Sequence, residues 1–325
     1  MPAVDLSIVI PIYNEQVNLP ALNARVRAVL DALPLQTELI YVNDGSHDDS
    51  LALIRAMAAE DPRIHFINFS RNFGHQIAIT AGLDLSAGAT VVVMDGDLQD
   101  PPELIPELYA KLKEGYEVVY AKRRTRQGES MVKLFTAKVF YRLLARITSV
   151  NIPLDTGDFR IVSRKVVNAL KQMPEQNKFI RGQISWIGYR QTFLEFDRSE
   201  RAGGVPGYTY SKLIKLALDG ITSFSDLPLR LATIGGFVVS GAAFVVMLYA
   251  IYAHFFLRNP EGWPSLMVSI LFLGGVQLMA VGVIGEYIAR LGANARQRPL
   301  YIIDETDVPV SAENEASPAL RALRR

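Results

Sequence analysis

The sequence predicts an α/β protein: a Rossmann-like, mostly parallel sheet flanked by helices, followed by amphipathic interface helices and a two-helix transmembrane hairpin. Strand-like and helix-like stretches alternate over roughly the first 125 residues, the pattern of parallel strands joined by helical crossovers. Two uncharged stretches, 231–257 and 265–285, stand near the C-terminus. Each is long enough to cross a bilayer core, which takes ~20 residues. A third observation points to the site: the apolar run TVVVMDGDLQD ends in two carboxylates one residue apart, Asp95 and Asp97.

Each element has its own warrant. The apolar run Leu6 to Ile12 reads as a strand, after which Asn14 caps a helix to about Leu33. Glu38 to Val42 is the next strand. Ser46 and Asp49 form a capping box for a helix from Asp48 to Glu60. Ile64 to Phe69 is a strand, Gln76 to Leu85 a helix and Thr90 to Met94 a strand. Asp100 caps a helix from Pro101 to Lys113, with proline in the first position. Glu117 to Ala121 is a fifth strand. The domain boundaries expected are 1–210 for a cytoplasmic catalytic domain, 211–228 for a juxtamembrane amphipathic helix and 229–290 for the spans, about 231–257 and 265–288. A cytoplasmic tail, 291–325, completes the chain, disordered from about Asp304.

Composition narrows the function. The chain has 325 residues, half of them hydrophobic, and a net charge of +1. That near-neutral balance argues against a nucleic-acid binder, which carries a basic domain. With no cysteine, thiolate nucleophiles, disulfides and Cys-based metal sites are excluded. The N-terminus enters a short strand without a basic leader, so no cleavable signal peptide is expected. Lys212, Lys215 and Arg230 precede the first span and Arg290, Arg296 and Arg298 follow the second. The positive-inside rule then puts both termini in the cytoplasm and the loop from Arg258 to Pro264 outside.

Polar residues gather at successive strand ends: Pro11-Ile12-Tyr13-Asn14-Glu15, Asn43-Asp44-Gly45-Ser46 and Asp95-Gly96-Asp97. In a parallel sheet these ends share one edge, where such sheets bind ligands. Two hard oxygen donors there suit Mg²⁺ or Mn²⁺, with the remaining coordination positions left to water and substrate phosphates. No dinucleotide or P-loop glycine pattern occurs. A nucleotide held through carboxylates and a metal fits what remains. Asp44 is suited either to a base or ribose hydrogen bond or to an Asx-turn.

The basic run Lys122-Arg123-Arg124-Thr125-Arg126 follows the fifth strand. It is either a solvated loop or the site that meets a phosphate at the membrane surface, with Arg124 and Arg126 the favoured pair. From Met131 to Ile147, Lys138, Arg142 and Arg146 fall on one helical stripe and Phe135, Val139 and Leu143 on another. That pattern, and a second from Ser211 to Phe224, suits helices lying in the headgroup region or packed on the sheet.

The segments SIVIPIYNE, YVNDGSHDDS, SRNFGHQIAITAGLD, DGDLQDPPELI, TGDFRIVSRKVV and the closing GEYIARL…RPLYII resemble family 2 glycosyltransferases that load sugars onto polyprenyl phosphates. The nearest type is the bactoprenol (undecaprenyl-phosphate) glucosyltransferase, a relative of dolichol-phosphate mannose synthase. The resemblance implies a GT-A fold, a UDP-sugar donor, a divalent metal, an undecaprenyl phosphate acceptor and inversion at the anomeric carbon. It implies that Pro11, Tyr13, Glu15 and Asp44 line the base and ribose pocket, and that Asp95, Asp97 and Gln99 hold the metal. Asp158 matches the acid proposed as catalytic base, and Arg160 beside it steadies either phosphate or that acid. The family's G-x-[ST]-[KG]-Y pattern reads here Gly204-Val205-Pro206-Gly207-Tyr208, with proline in place of the hydroxyl. A homotetramer in the bacterial inner membrane, and a downstream flippase and transferase, are further implications. Glucose is the first expected sugar, with mannose, N-acetylhexosamine, galactose and 4-amino-arabinose as alternatives. A processive synthase lacks support, since no Q-x-x-R-W occurs and there are only two spans. A non-catalytic sugar-nucleotide scaffold conflicts with an intact aspartate pair.

Overall fold

The computed structural model describes residues 4–124, 156–173, 175–196, 227–256 and 262–309. Eight strands form one sheet. In chain order the elements are β1 (Leu6–Ile12), α1 (Leu19–Ala32), β2 (Thr37–Asn43), α2 (Ser50–Glu60), β3 (Ile64–Phe69), α3 (His75–Leu85) and β4 (Thr90–Val93). A short 3₁₀ turn (Pro102–Leu104), α4 (Ile105–Lys113), β5 (Val118–Arg123), β6 (Thr156–Ser163) and α5 (Arg164–Lys171) follow. The chain continues through α6 (Ile180–Ile187), β7 (Gln191–Phe196), α7 (Leu227–Phe256), α8 (Trp263–Ala295) and β8 (Ile303–Thr306). The strand order is β7-β5-β6-β4-β1-β2-β3-β8. β6 runs antiparallel to both β4 and β5, and β8 runs antiparallel to β3; the other pairings are parallel.

Every residue of β1 is buried, because both faces of the sheet are covered. Ile8 and Ile10 face a layer with Leu22 and Val26 of α1, Ile54 of α2 and Leu108 of α4. Val9 faces the other, with Ala78 and Ile79 of α3, Val166 of α5 and Ile184 of α6. α3 lies especially close: a Cβ on Gly82 would stand 2.1 Å from Val9 Cγ1. This close approach fixes the helix whose first residue is His75.

Several helix starts differ from the sequence reading. Asn14 does not cap α1. It adopts φ 55°, and its side chain accepts a bond from the His47 N–H at 2.8 Å. α1 begins at Leu19, after the chain has been stitched to the next loop. The capping box of Ser46 and Asp49 is also absent: Ser46 Oγ accepts from the Asn14 N–H at 3.0 Å, and α2 begins at Ser50. Asp100 does not cap a helix at Pro101. Pro102 pushes Pro101 into an extended conformation (ψ 116°), and α4 starts only at Ile105. The tail expected to lack order from about Asp304 contains β8, which extends the sheet beyond β3.

α7 and α8 lie alongside one another. Apolar windows at Leu229–Tyr249 and Phe272–Ala295 are long enough to cross a membrane, and neither is buried against the rest of the protein. The expected interface helices, 131–147 and 211–224, lie outside the described residues, as do Arg126 and the segment from Gly204 to Tyr208.

Candidate active site

The loops after β1 and β2 build one wall of the site. Besides the Asn14 contacts, the Gln16 N–H donates to Asp48 Oδ2 at 3.1 Å and the Asp49 N–H to Gln16 Oε1 at 2.9 Å. The Glu15 N–H donates to Ser50 Oγ at 3.0 Å. Pro11 is buried at the end of β1, whereas Tyr13 stands 43% exposed, edge-on to the His47 ring. The Glu15 carboxylate accepts from Asn18 Nδ2 at 2.6 Å. Asp44 is buried and accepts backbone N–H groups from Phe73 (2.6 Å) and Gly74 (3.0 Å). It thereby anchors the turn that leads into α3. Gly45 makes the turn possible: it has φ +66°, and a Cβ there would lie 2.5 Å from the Arg71 carbonyl carbon.

The aspartate pair follows β4. Gly96 sits so close to the end of β1 that a Cβ would lie 2.7 Å from Ile12 Cδ1 and 3.3 Å from the Pro11 carbonyl oxygen. Asp97 Oδ1 accepts from the Gln99 N–H at 3.1 Å. Asp95 Oδ1 is buried without a hydrogen-bond partner among the described residues. Burial raises the Asp95 pKa; the charges of Asp158 and Asp97 raise it further, against the pull of His75. A cation would relieve that arrangement.

Asp158 is contacted by four side chains. It sits where β6 leaves regular pairing: Tyr120 is opposite Arg160, but Lys122 is opposite Thr156. Such irregularities re-aim side chains beside active sites. The buried Asp158 carboxylate accepts from Arg160 Nη2, from Arg181 Nε at 3.1 Å and from Gln76 Nε2 at 3.4 Å, and pairs with His75 Nε2 at 3.1 Å. His75 Nε2 is also 3.4 Å from Asp95 Oδ1. Burial alone would raise the Asp158 pKa. The Arg181 charge, the His75 hydrogen bond and Arg160 outweigh it and hold the carboxyl well below the usual carboxylate range. Burial alone would lower the His75 pKa, but the bond to Asp158 and the two carboxylate charges raise it to about 9. The cluster is therefore a carboxylate held ionised by three cationic side chains, beside a second acid whose pKa is raised.

One ligand atom each from His75, Asp95 and Asp158 fall within 4.8 Å of one another, a spacing that a metal could also exploit. Asp158 is already engaged by four side chains, three of them cationic. The aspartate pair after β4 offers the better donor set for a hard cation.

The structure brings Asp95 and Asp158 together and places Pro11 against the Asp95–Asp97 turn. Arg160 is only 1% exposed and turned onto Asp158. Arg124 stands outside this cluster: its Nε lies 3.9 Å from Glu195 Oε2, and its side chain is 58% exposed. Sequence reasoning missed His75, Gln76 and Arg181. A signal existed for the first two: β3 is parallel to β2, so the segment after it reaches the same edge as the three polar clusters. Arg181 had no such signal, since a helix after the reversed strand β6 carries it.

A mixed, mostly parallel sheet with acids at the carboxyl ends of its central strands is the arrangement that the resemblance to GT-A glycosyltransferases leads one to expect. The chain belongs to glycosyl transferase family 2, whose pattern it matches over residues 7–171. It is 48% identical to the glycosyltransferase YkcC of Bacillus subtilis (strain 168), covering 93% of this chain and 94% of that one. It is 42% identical to the bactoprenol glucosyl transferase of Shigella phage SfV, over 92% of this chain and 97% of the relative. A prophage bactoprenol glucosyl transferase homolog of Escherichia coli (strain K12) is likewise 42% identical, over 92% and 98%.

Proposed function

We propose that the protein transfers a hexose, glucose first, from a UDP-sugar to undecaprenyl phosphate at the cytoplasmic face of the bacterial inner membrane. A lipid phosphate oxygen forms a bond to the sugar C1 as the bond from C1 to the diphosphate breaks, with inversion. The observation that carries this reading is the ionised, cation-locked Asp158 beside Asp95, in a chain that also carries two unburied apolar helices. The relatives named bactoprenol glucosyl transferase match nearly the full length, spans included, which supports the lipid acceptor.

Pro11, Tyr13, Glu15 and Asp44 border the base and ribose, with Asp44 also shaping the pocket through the turn at Gly74. Asp95, Asp97 and Gln99 supply oxygen donors fit for Mg²⁺ or Mn²⁺, and the buried Asp95 Oδ1, which accepts no hydrogen bond among the described residues and has His75 Nε2 at 3.4 Å, supports that fit. When bound, such an ion neutralises charge on the departing diphosphate. The acceptor phosphate is already anionic near neutral pH, so the reaction needs little proton removal. An acid held far below its usual pKa is also a weak base. Asp158 therefore orients the acceptor and the cations around it. Arg124 and Arg126 attract the acceptor phosphate. Both termini lie in the cytoplasm by the positive-inside rule, and a homotetramer is the expected assembly.

A screen tests this. Purified protein in vesicles containing undecaprenyl phosphate is supplied with labelled UDP-glucose and competing sugar nucleotides. Label is expected in the lipid phase, from UDP-glucose first. Label in long polymer, or binding without turnover, contradicts the reading.

A further inference from the structure

The second apolar helix reaches the catalytic acid through one short segment. The Gln176 N–H donates to Asn294 Oδ1 at 3.1 Å, and Gln176 Nε2 donates to the Arg298 carbonyl at 3.0 Å. These two contacts tie the stretch between α5 and α6 to the C-terminal end of α8. Four residues on, the Ile180 N–H donates to Gln76 Oε1 at 3.2 Å, and Gln76 Nε2 reaches Asp158 Oδ2 at 3.4 Å. The next residue, Arg181, donates from Nε to Asp158 Oδ1 at 3.1 Å. Gln183 Nε2 donates back to Glu175 Oε2 at 2.9 Å, closing the segment on itself.

The helix end is itself held on the sheet domain. Tyr301 stacks on Phe69 with ring centroids 5.2 Å apart, and its hydroxyl bonds Asp84 Oδ2 at 3.1 Å. The Ser70 N–H donates to the Ile302 carbonyl at 3.1 Å, where β8 begins to extend the sheet. The fold is thus docked on α8 without Gln176. The Gln176 contacts add something else: they connect the helix end to the two side chains that grip Asp158 from α3 and α6.

We propose that segment 175–181 is a strap through which the C-terminal end of α8 sets the placement of Asp158, with Asn294 and Gln176 as positioning residues for glycosyl transfer. It rests on the reading of Asp158 as the group that orients the acceptor. The physical need is plain. A lipid phosphate sits at a height fixed by the bilayer, while the donor sits at a height fixed by the sheet. A contact from the membrane helix to the acid registers one against the other, and misplacement by about 1 Å is costly in such a step.

The test uses the full chain in vesicles with undecaprenyl phosphate and labelled UDP-glucose. Asn294→Leu removes the oxygen that accepts from Gln176, whereas Asn294→Asp keeps it. Asn294→Leu is expected to lower kcat by about 3- to 30-fold, the range of coupling through such contacts, with donor KM within about twofold. Amide exchange at Gln176 and Ile180 is expected to rise. Asn294→Asp is expected to restore both. Unchanged kcat in Asn294→Leu, or faster exchange without any loss of kcat, overturns the proposal. If Asn294→Leu does not fold, Gln176→Ala, which loses only the bond to the Arg298 carbonyl, is expected to lower kcat in the same way; an unaltered kcat there is equally fatal. If the wild type labels no lipid, the functional reading fails separately. Amide exchange at Gln176 and Ile180 in Asn294→Leu and Asn294→Asp then decides the strap by the same comparison, and unchanged exchange in Asn294→Leu overturns it.

Discussion

Arg160 and Asp158 are two residues apart on β6 and meet side chain to side chain, with Arg160 Nη2 donating to Asp158 Oδ1. Arg160 Nε also donates to the Asp158 carbonyl at 3.1 Å. One buried guanidinium thus holds both the acid and the backbone that carries it. Residues two apart on a strand share a face, and the register shift opposite Ala121 frees the backbone enough for the contact. Replacing Arg160 by Met leaves that buried carboxylate short of a partner. The expected cost is about 3–5 kcal/mol of stability, as for other broken buried pairs. Denaturant unfolding measures it. Arg160→Lys is expected to recover less than half, because an ammonium cannot make the two-point contact.

Asp158→Asn is expected to reduce turnover on the order of 10²-fold with little change in donor KM, since orientation rather than binding is lost. The cations around it keep an oxygen to bond but lose the charge. Steady-state kinetics at saturating donor decide the matter, and near-normal turnover removes Asp158 from any essential role.

His75 supplies a pH dependence whose sign follows from its raised pKa of about 9. An unfolded histidine titrates near about 6.5. The stabilisation from charged His75 is therefore complete below about pH 6.5 and is lost as pH rises through about 9. Thermal unfolding of chelator-treated wild type and His75→Gln across that range checks this. Their difference is expected to be largest at the acid end and to shrink by pH 10; a difference that grows with pH contradicts it.

Gly82→Ala puts a methyl group where Val9 Cγ1 already stands, 2.1 Å away. The expected loss is about 1–3 kcal/mol, the usual cost of overpacking. Because α3 carries His75 and Gln76, activity is expected to fall along with stability. Adding Val9→Ala opens the space and is expected to recover part of both. Unfolding curves of the single and double variants show whether it does.

Much of the sheet was legible because its strands are unbroken apolar runs. Leu6–Ile12 and Ile64–Phe69 stand where the sequence places them. Helix starts were less legible: Asn14 and Ser46 have side chains that serve caps and tertiary contacts equally well, and here the two loops use them for each other, while Pro102 keeps the chain after Asp100 extended. The Asp95–Asp97 pair was readable from its position after β4. The cage around Asp158 was not: it joins α3, β6 and α6 across 83 residues for His75 and 23 for Arg181. No local pattern records that a reversed strand brings these together, and no spacing reveals that Arg160 is buried.

The most direct test of the account is the dependence of lipid glycosylation on the acids after β4. Purified protein is stripped with chelator, then assayed with labelled UDP-glucose and undecaprenyl phosphate, alongside an Asp95→Ala/Asp97→Ala variant. The account predicts a loss on the order of 10²-fold or more in both, reversed by Mg²⁺ or Mn²⁺ in the wild type alone. Full-rate labelling of the lipid by the stripped enzyme or by the double variant contradicts it.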